Sequence, residues 1–397
     1  MSGALSALSD FVGWTPEPSD QVSVIILRGT KAWAISTWTA ATIRMGVEIM
    51  PWTATLSMTT QGPDAATTID LVEGDSCQLL IGSTLVFTGY VQTIVEDIAP
   101  GQHSIEVQLA SKSIDLVECA AEFSTFQMNS TNALAIARAV SAFAGIQVIS
   151  VDGAGDTDIK AFSAILTETA YEMIERVTRL AAVLFYDRPD GNICMSQAGS
   201  RRAASGFVLG DNIERIQRVR SMAGRFSSVQ AINIGAITLF ETPDESNLVN
   251  QMTANTAPFN AQAFDKGVNR TRNMLIPVEI GDPDYAIARQ RVQWEVNRRY
   301  ARAYPVMVTS DSWRDKAGNL WLPNTLVPVS TMGGTQQLEL LIGEMVLRQA
   351  IGEGTHVDVT LMDPKAFLPQ PVVNPIYQDP FYQAWLSGQG QATQGSS

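Results

Sequence analysis

The sequence predicts a mainly β protein with an α+β insert: two β-barrel-like domains with a small α/β domain between them. Three observations carry this. Short apolar strands recur at regular spacing from Val22 to Leu109, helical spacing takes over from Ser130 to Ala182, and strands return from Val229 to Leu361. The expected organisation is an N-terminal segment 1–21, a first β domain 22–118, an α/β domain 119–211, a second β domain 212–370 and an extension 371–397.

In the first region the strands are Val22–Leu27, Ala54–Met58, Cys77–Ile81, Leu85–Val91 and Ser104–Leu109. Turn residues separate them at Gly62-Pro63-Asp64, Gly74-Asp75, Gly82-Ser83 and Pro100-Gly101. Beyond Cys119, Ser130-Thr131-Asn132 offers a cap to a helix whose Leu134, Ile136, Ala137, Val140 and Phe143 share a face as far as Gly145. A second helix opens at Thr167-Glu168-Thr169, with Ile174, Val177, Leu180 and Ala181 apolar. Leu184–Tyr186 then turns at Asp190-Gly191 into Asn192–Met195.

The second β region opens near Asn212, with Val229–Ile234 as its first clear strand. Glu241–Lys266 lacks periodicity and reads as a long excursion of the interaction-loop kind. An acidic, proline-bearing start at Asp282-Pro283-Asp284 begins a helix over about 282–302. It sets Tyr285, Ala288, Val292 and Val296 on one face, ringed by Arg289, Arg291, Arg298, Arg299 and Arg302. Strands follow at Pro305–Val308, Leu326–Val329, Leu338–Leu347 and Val357–Leu361. Between the first two, Ser312-Trp313 and Leu320-Trp321-Leu322-Pro323-Asn324 bracket a Lys316-Ala317-Gly318-Asn319 tip and read as a hairpin. The Pro-rich, then Gly/Gln/Ser-rich end beyond Pro369 has a composition that orders only against a partner.

Composition narrows the function. A chain of 397 residues with a formal charge of −13 does not suit sequence-independent nucleic-acid binding, which rests on Lys and Arg neutralising phosphates. That sign suits a conduit that must not grip DNA. Cys77, Cys119 and Cys194 are too scattered for a disulfide framework or zinc motif, and a reducing compartment is the simpler assumption. Neither a signal peptide nor a run of about 18 apolar residues is seen, so no membrane insertion is expected.

Chemistry is sparse. With His103 and His356 as the sole histidines, a paired-histidine metal site is unavailable and any Ser-His-Asp triad has to use one of the two; both read as turn or strand residues. Phosphate-loop and dinucleotide motifs are missing. Glu168, Glu172 and Glu175 share a helix face and could form an acidic cluster, but Arg176 and Arg179 as their i+4 partners favour a solvated face. The arginines Arg289, Arg298 and Arg299 read as an intersubunit salt-bridge face, against phosphate binding as the other reading. Trp313 and Trp321 read as cross-strand packing or as interface anchors, and Phe367 joins the candidate interface residues. No catalytic, cofactor or metal residue is nominated.

An ordered series of motifs resembles one family. Val86-Phe87-Thr88-Gly89-Tyr90-Val91 is followed by Ser111-Lys112-Ser113-Ile114-Asp115-Leu116-Val117-Glu118-Cys119-Ala120-Ala121. Then come Thr167–Glu172, Arg176–Ala181, Asp190–Ile193, Ala288–Glu295, Ser312-Trp313, Gly318–Asn324, Leu341–Gly343 and Pro364–Phe367. Together they resemble the baseplate hub proteins of phage Mu and related contractile-tailed phages, a superfamily that includes late control protein D and is related to the type VI secretion spike base. The resemblance runs from about Val22 to Phe367. Ser312 stands where a glycine is expected, and Glu241–Lys266 matches no part of the pattern.

The resemblance implies a structural protein and not an enzyme: a homotrimeric ring with two β-barrel domains per subunit, adapting a sixfold tail tube to a threefold central spike. Its implied partners are the tail tube or tube-initiator protein, the spike, baseplate wedge proteins, and phage DNA passing through the lumen without specific binding. The implied location is the tail baseplate of the virion, after assembly in the host cytoplasm. A tailocin or type VI-like injection device is the alternative within the same architecture. A tail-associated cell-wall hydrolase is the alternative outside it.

Overall fold

The computed structural model describes residues 20–364, except 60–70, 101, 122–126, 157, 165–166, 182, 234–257, 279–284 and 332–335. The first region forms β1 (Val22–Arg28), β2 (Lys31–Ile35), β3 (Ala40–Gly46), β4 (Thr53–Thr59), β5 (Ser76–Ile81), β6 (Thr84–Ala99) and β7 (Gln102–Ser111). Alternation makes these strands: in β3, Ala41, Ile43 and Met45 are buried while Thr42 and Arg44 are exposed, as a pleat with one face on the core requires. A short helix, α1 (Ile114–Glu118), leads out of the region.

The α/β unit comprises β8 (Gln127–Asn132), α2 (Ala133–Ser141), β9 (Val148–Ser150), β10 (Asp158–Ser163), α3 (Ala170–Ala181), β11 (Leu184–Asp187) and β12 (Ile193–Ser196). Asn132 caps α2, its Oδ1 accepting from the Ala135 N–H at 2.8 Å, and Gly145 ends the following turn at φ +62°. At α3 the Thr169 N–H donates to Glu172 Oε2 at 2.8 Å and the Glu172 N–H to Thr169 Oγ1 at 3.2 Å, a reciprocal capping box. Glu172 is therefore spent on the helix start. Arg176 reaches Glu168 at 2.7 Å, eight residues back, across the start of the helix; the side chain of Arg179 lies outside the described residues.

The last region holds β13 (Arg201–Arg202), β14 (Phe207–Val208), β15 (Arg215–Arg218), β16 (Ser228–Asn233), β17 (Pro258–Phe264), β18 (Asn273–Val278), α4 (Tyr285–Arg302), β19 (Val306–Ser310), β20 (Thr325–Thr331), β21 (Gln336–Ala350) and β22 (Gly354–Met362). The expected excursion Glu241–Lys266 is corrected at its end, where β17 pairs antiparallel with β16; 234–257 lies outside the described residues. Its Ala261 and Ala263 alternate toward Val292 and Val296 of α4, a pattern that alanine makes faint. Arg225 locks this layer with a bidentate pair to Asp265, at 2.7 and 2.8 Å, and donates to Tyr304 Oη at 2.7 Å.

The expectation of two barrels is corrected. Among the described residues no closed barrel is found; strands of both β regions belong to one 14-stranded sheet with the path β15-β19-β22-β21-β3-β4-β7-β6-β5-β1-β2, β20 pairing off it onto β21. The join is β21 against β3, from Glu344↔Gly46 to Ala350↔Ala40. One arrangement occurs twice in this sheet, β3-β4-β7-β6-β5 and β15-β19-β22-β21-β20. A single apolar cluster runs through both, from Val22 to Leu361.

Candidate functional site

The nominated side chains fall in different places. Trp313 and Trp321 are 1% and 2% exposed, inside the common core. Their segment is not a strand hairpin: it closes through one isolated bridge, Arg314↔Leu320, with the Trp321 N–H donating to the Trp313 carbonyl at 3.0 Å. Asp315 builds the turn by accepting from the Ala317 and Asn319 N–H groups at 2.9 Å each, a local device that replaces ladder pairing. Trp313 Nε1 donates to the His356 carbonyl at 2.8 Å and Trp321 Nε1 to the Ser312 carbonyl at 3.0 Å. Both rings pack in the core of the subunit and spend their indole donors on its own backbone.

Of the α4 arginines, Arg298 and Arg302 both pair with Glu48 in the loop after β3, and Arg299 pairs with Glu295 at 2.6 Å. The two Glu48 pairs fasten the helix to the loop after β3, the Arg299 pair lies within the helix, and Arg289 is exposed. Phe367 lies outside the described residues. His103 contacts Glu96 at 2.7 Å and His356 contacts Glu214 at 3.0 Å. Among the described residues no group of three or more His, Cys, Asp or Glu could hold a metal ion.

The motif residues instead build two buried polar clamps, one at each end of the β11–β12 hairpin. At the first, Asp187 Oδ2 accepts from the Trp52 N–H at 2.8 Å, Ser111 Oγ at 2.7 Å and Ser113 Oγ at 2.9 Å, so the Ser-Lys-Ser motif holds the α/β unit against the first β region. Burial pushes the Asp187 carboxyl up from 3.8 to about 6, and the serine and backbone donors oppose that rise. Nearby, a Cβ on Gly89 would sit 1.8 Å from the Ala110 carbonyl oxygen, so the glycine of Thr88-Gly89-Tyr90 is required by close backbone approach.

At the second clamp, Asn324 is fully buried at φ +59°. Its Nδ2 donates to Ser196 Oγ at 2.9 Å, the Gln197 carbonyl at 3.0 Å and Tyr186 Oη at 3.2 Å, and its Oδ1 accepts from the Gly199 N–H at 2.7 Å. The Leu-Pro-Asn end of the tryptophan segment thus ties the α/β unit to the second β region. Sequence reasoning quoted these motifs without their partners, because Asp187 and Tyr186 are more than 60 residues distant from them.

Asp187 makes a signed prediction. Its folded-state pKa is above the unfolded value, so the stability it contributes is fully present below 3.8 and is lost as pH rises through about 6. Relative to Asp187→Asn, the native protein should lose about 2–3 kcal/mol of unfolding free energy between pH 4 and pH 8. Denaturant titrations of both proteins across that range check this, and parallel profiles would contradict it.

Opposite the core, β15, β19, β22, β21 and β3 present a broad polar face. Its cations and carboxylates meet in adjacent strands: Arg44 with Glu344 at 2.7 Å, and Arg348 with Asp358 at 2.8 Å, while Thr309 Oγ1 donates to Asp358 at 2.7 Å. Such a face carries both signs at short range and little net field.

Comparison with known proteins places this geometry. The model for the Mu phage baseplate assembly protein GpP-like N-terminal domain matches residues 24–108, that for the baseplate hub protein gp44-like second domain matches 113–197, and that for the GpP fourth domain matches 284–370. Baseplate hub protein gp44 of Escherichia phage Mu is 27% identical over 379 residues, 93% of this chain and 90% of that protein. Among solved structures, the 43 kDa tail protein of prophage MuSo2 from Shewanella oneidensis superposes with a TM-score of 0.72 at 24% identity, over 89% of this chain and all of that one. The tail protein of Neisseria meningitidis MC58 gives 0.71 at 14% identity, over 88% of this chain and 98% of that one. The chain has the fold of phage tail proteins.

Proposed function

We propose that this chain, a relative of the Mu baseplate hub protein over nearly its whole length, is the structural hub of a contractile-tail baseplate, acting as a homotrimer that adapts the tail tube to the central spike. The observation that carries the reading is the doubled strand arrangement joined edge to edge within one subunit. Two equivalent units per chain give six around a threefold axis, which is the geometry an adaptor between sixfold and threefold parts needs.

The polar face of the sheet is the surface we assign to the ejection passage. DNA is held by cations that release counterions from phosphate, and here Arg44 and Arg348 each have a carboxylate at hydrogen-bond distance. With a net charge of −13 behind it, such a wall neither grips the duplex nor traps it. Function in this reading is carried by surfaces and symmetry, with tube, spike and wedge proteins as partners.

Solution mass, measured by light scattering on the chain alone and with the spike protein, tests the proposal. A mass near three times 43.0 kDa for the chain alone, or a complex holding three chains plus spike in the mixture, is expected. A monomer in both would contradict it, and turnover of purified peptidoglycan by the isolated chain would favour the hydrolase reading instead.

A further inference from the structure

We infer that the outer edge of β6 beyond residue 92 and the outer edge of β15 are the two halves of one intermolecular seam, in which Glu96 of one copy faces Arg218 of the next. The argument comes from the internal repeat. β6 and β21 are equivalent strands, and each carries a register shift against its long partner, between Val91 and Thr93 in β6 and between Ile342 and Glu344 in β21. Before the shift each pairs with the equivalent neighbour, β6 with β5 as far as Tyr90 and β21 with β20 as far as Leu341.

After the shift the two halves differ. β21 turns its edge to β3, making the join within the chain. Among the described residues the same edge of β6, residues 93–99, has no strand partner, and β15, the equivalent of β3, pairs there only with β19. The chain therefore satisfies one seam internally and leaves both halves of the equivalent seam open. Open edges of one sheet are the usual site of strand addition, and here each fits the other.

Register can be carried from the closed seam to the open one. The row Ile43↔Ala54↔Leu109↔Val91 in the first arrangement corresponds to Arg218↔Val306↔Leu361↔Ile342 in the second, both ending at the residue before the shift. Arg218 thus takes the place of Ile43, and Glu96 the place of Leu347. Because Leu347 is paired with Ile43 inside the chain, Glu96 falls opposite Arg218 between chains, and Ile98 falls opposite Ile216.

The side chains agree with this placement. Leu347 and Ile43 are fully buried in the closed seam, whereas the open seam carries an acid and a base at those positions. Glu96 contacts His103 and remains 54% exposed; Arg218 is exposed and has no ion-pair partner among the described residues. Ile98, 71% exposed, gains cover from Ile216. Charges on a free edge suppress pairing with unlike edges and favour the complementary one. The contact is heterologous, so each copy gives β6 to one neighbour and β15 to the other, and copies close into a ring with internal and intermolecular seams alternating.

This inference rests on the trimeric hub reading and deepens it. Charge reversal tests it: E96R and R218E each should raise the concentration for half-assembly roughly tenfold or more, through like charges across the seam, and E96R/R218E together should restore assembly. As a second measurement independent of assembly energetics, E96C protein mixed with R218C protein should form an intermolecular disulfide under mild oxidation, and neither alone should match its yield. A trimer unaffected by either reversal, with no disulfide in the mixture, would overturn the seam and leave the hub reading standing. A native chain that stays monomeric with and without spike would overturn both.

Discussion

Trp321→Ala should lower the unfolding free energy by about 3–5 kcal/mol, the range for removing a large aromatic from a packed core. The ring is 2% exposed, lies 4.5 Å from the Phe207 ring between centroids, and donates through Nε1 to the Ser312 carbonyl. Phe207 belongs to β14, which adds in parallel to β20, so the same ring holds the strand preceding the edge strand β15. Trp321→Phe separates the contributions: it keeps most of the apolar volume, loses the indole donor and should cost about 1–3 kcal/mol. Urea titration of the three proteins measures both differences, and an unchanged midpoint for Trp321→Ala would refute the packing account.

Asn324→Ala should cost about 3–5 kcal/mol without removing any large apolar surface. The substitution strips the partner from the Gly199 N–H and disturbs the Tyr186 and Ser196 hydroxyls, each a buried polar group whose unsatisfied state costs about 1–3 kcal/mol. It also places alanine at φ +59°, where a Cβ adds about 1 kcal/mol of strain that asparagine tolerates better. Asn324→Gly relieves the strain and leaves the hydrogen-bond loss, so it should be less damaging than alanine by about that amount. If both variants melt with the native protein, the clamp is not what joins the α/β unit to the second β region.

Local features were legible in the sequence. The cap within Ser130-Thr131-Asn132, the Gly145 stop and the opening within Thr167-Glu168-Thr169 follow from chemistry confined to a few residues, and the structure assigns the cap to Asn132 and the opening to Thr169. Strands with long Val, Ile, Leu or Phe runs, such as β1, β5, β6, β7 and β22, were also visible, whereas β9, β10 and β18 drew no expectation. β2 and β3 were missed although Thr42-Ile43-Arg44-Met45 alternates cleanly, because Ser36-Thr37-Trp38-Thr39 between them carries no Gly, Pro, Asn or Asp to mark a turn. β17 was hidden by alanine, whose burial beneath α4 comes from tertiary packing.

Long-range facts were not legible. A period of two identifies which face of a strand is buried and says nothing of which edge meets which, so two separate barrels and one joined sheet share the same pattern. The pairing of β21 with β3 spans about 300 residues, and it decides between them. Asp187 was unremarked for the same reason: a carboxylate after Leu184-Phe185-Tyr186 looks like a strand end until Trp52, Ser111 and Ser113 close over it. The tryptophans show the converse, since two large aromatics beside a polar turn announce burial without saying whether the covering surface belongs to the same chain.

Electron microscopy of the purified assembly, alone or on its spike, tests the central claim most directly. The account predicts a closed ring of three copies and six similar lobes, with the strand face bearing Arg44, Glu344, Arg348 and Asp358 turned to an open bore. A compact monomer, or a ring whose bore is lined by α4 and the β16–β18 layer with that polar face turned outward, would contradict it.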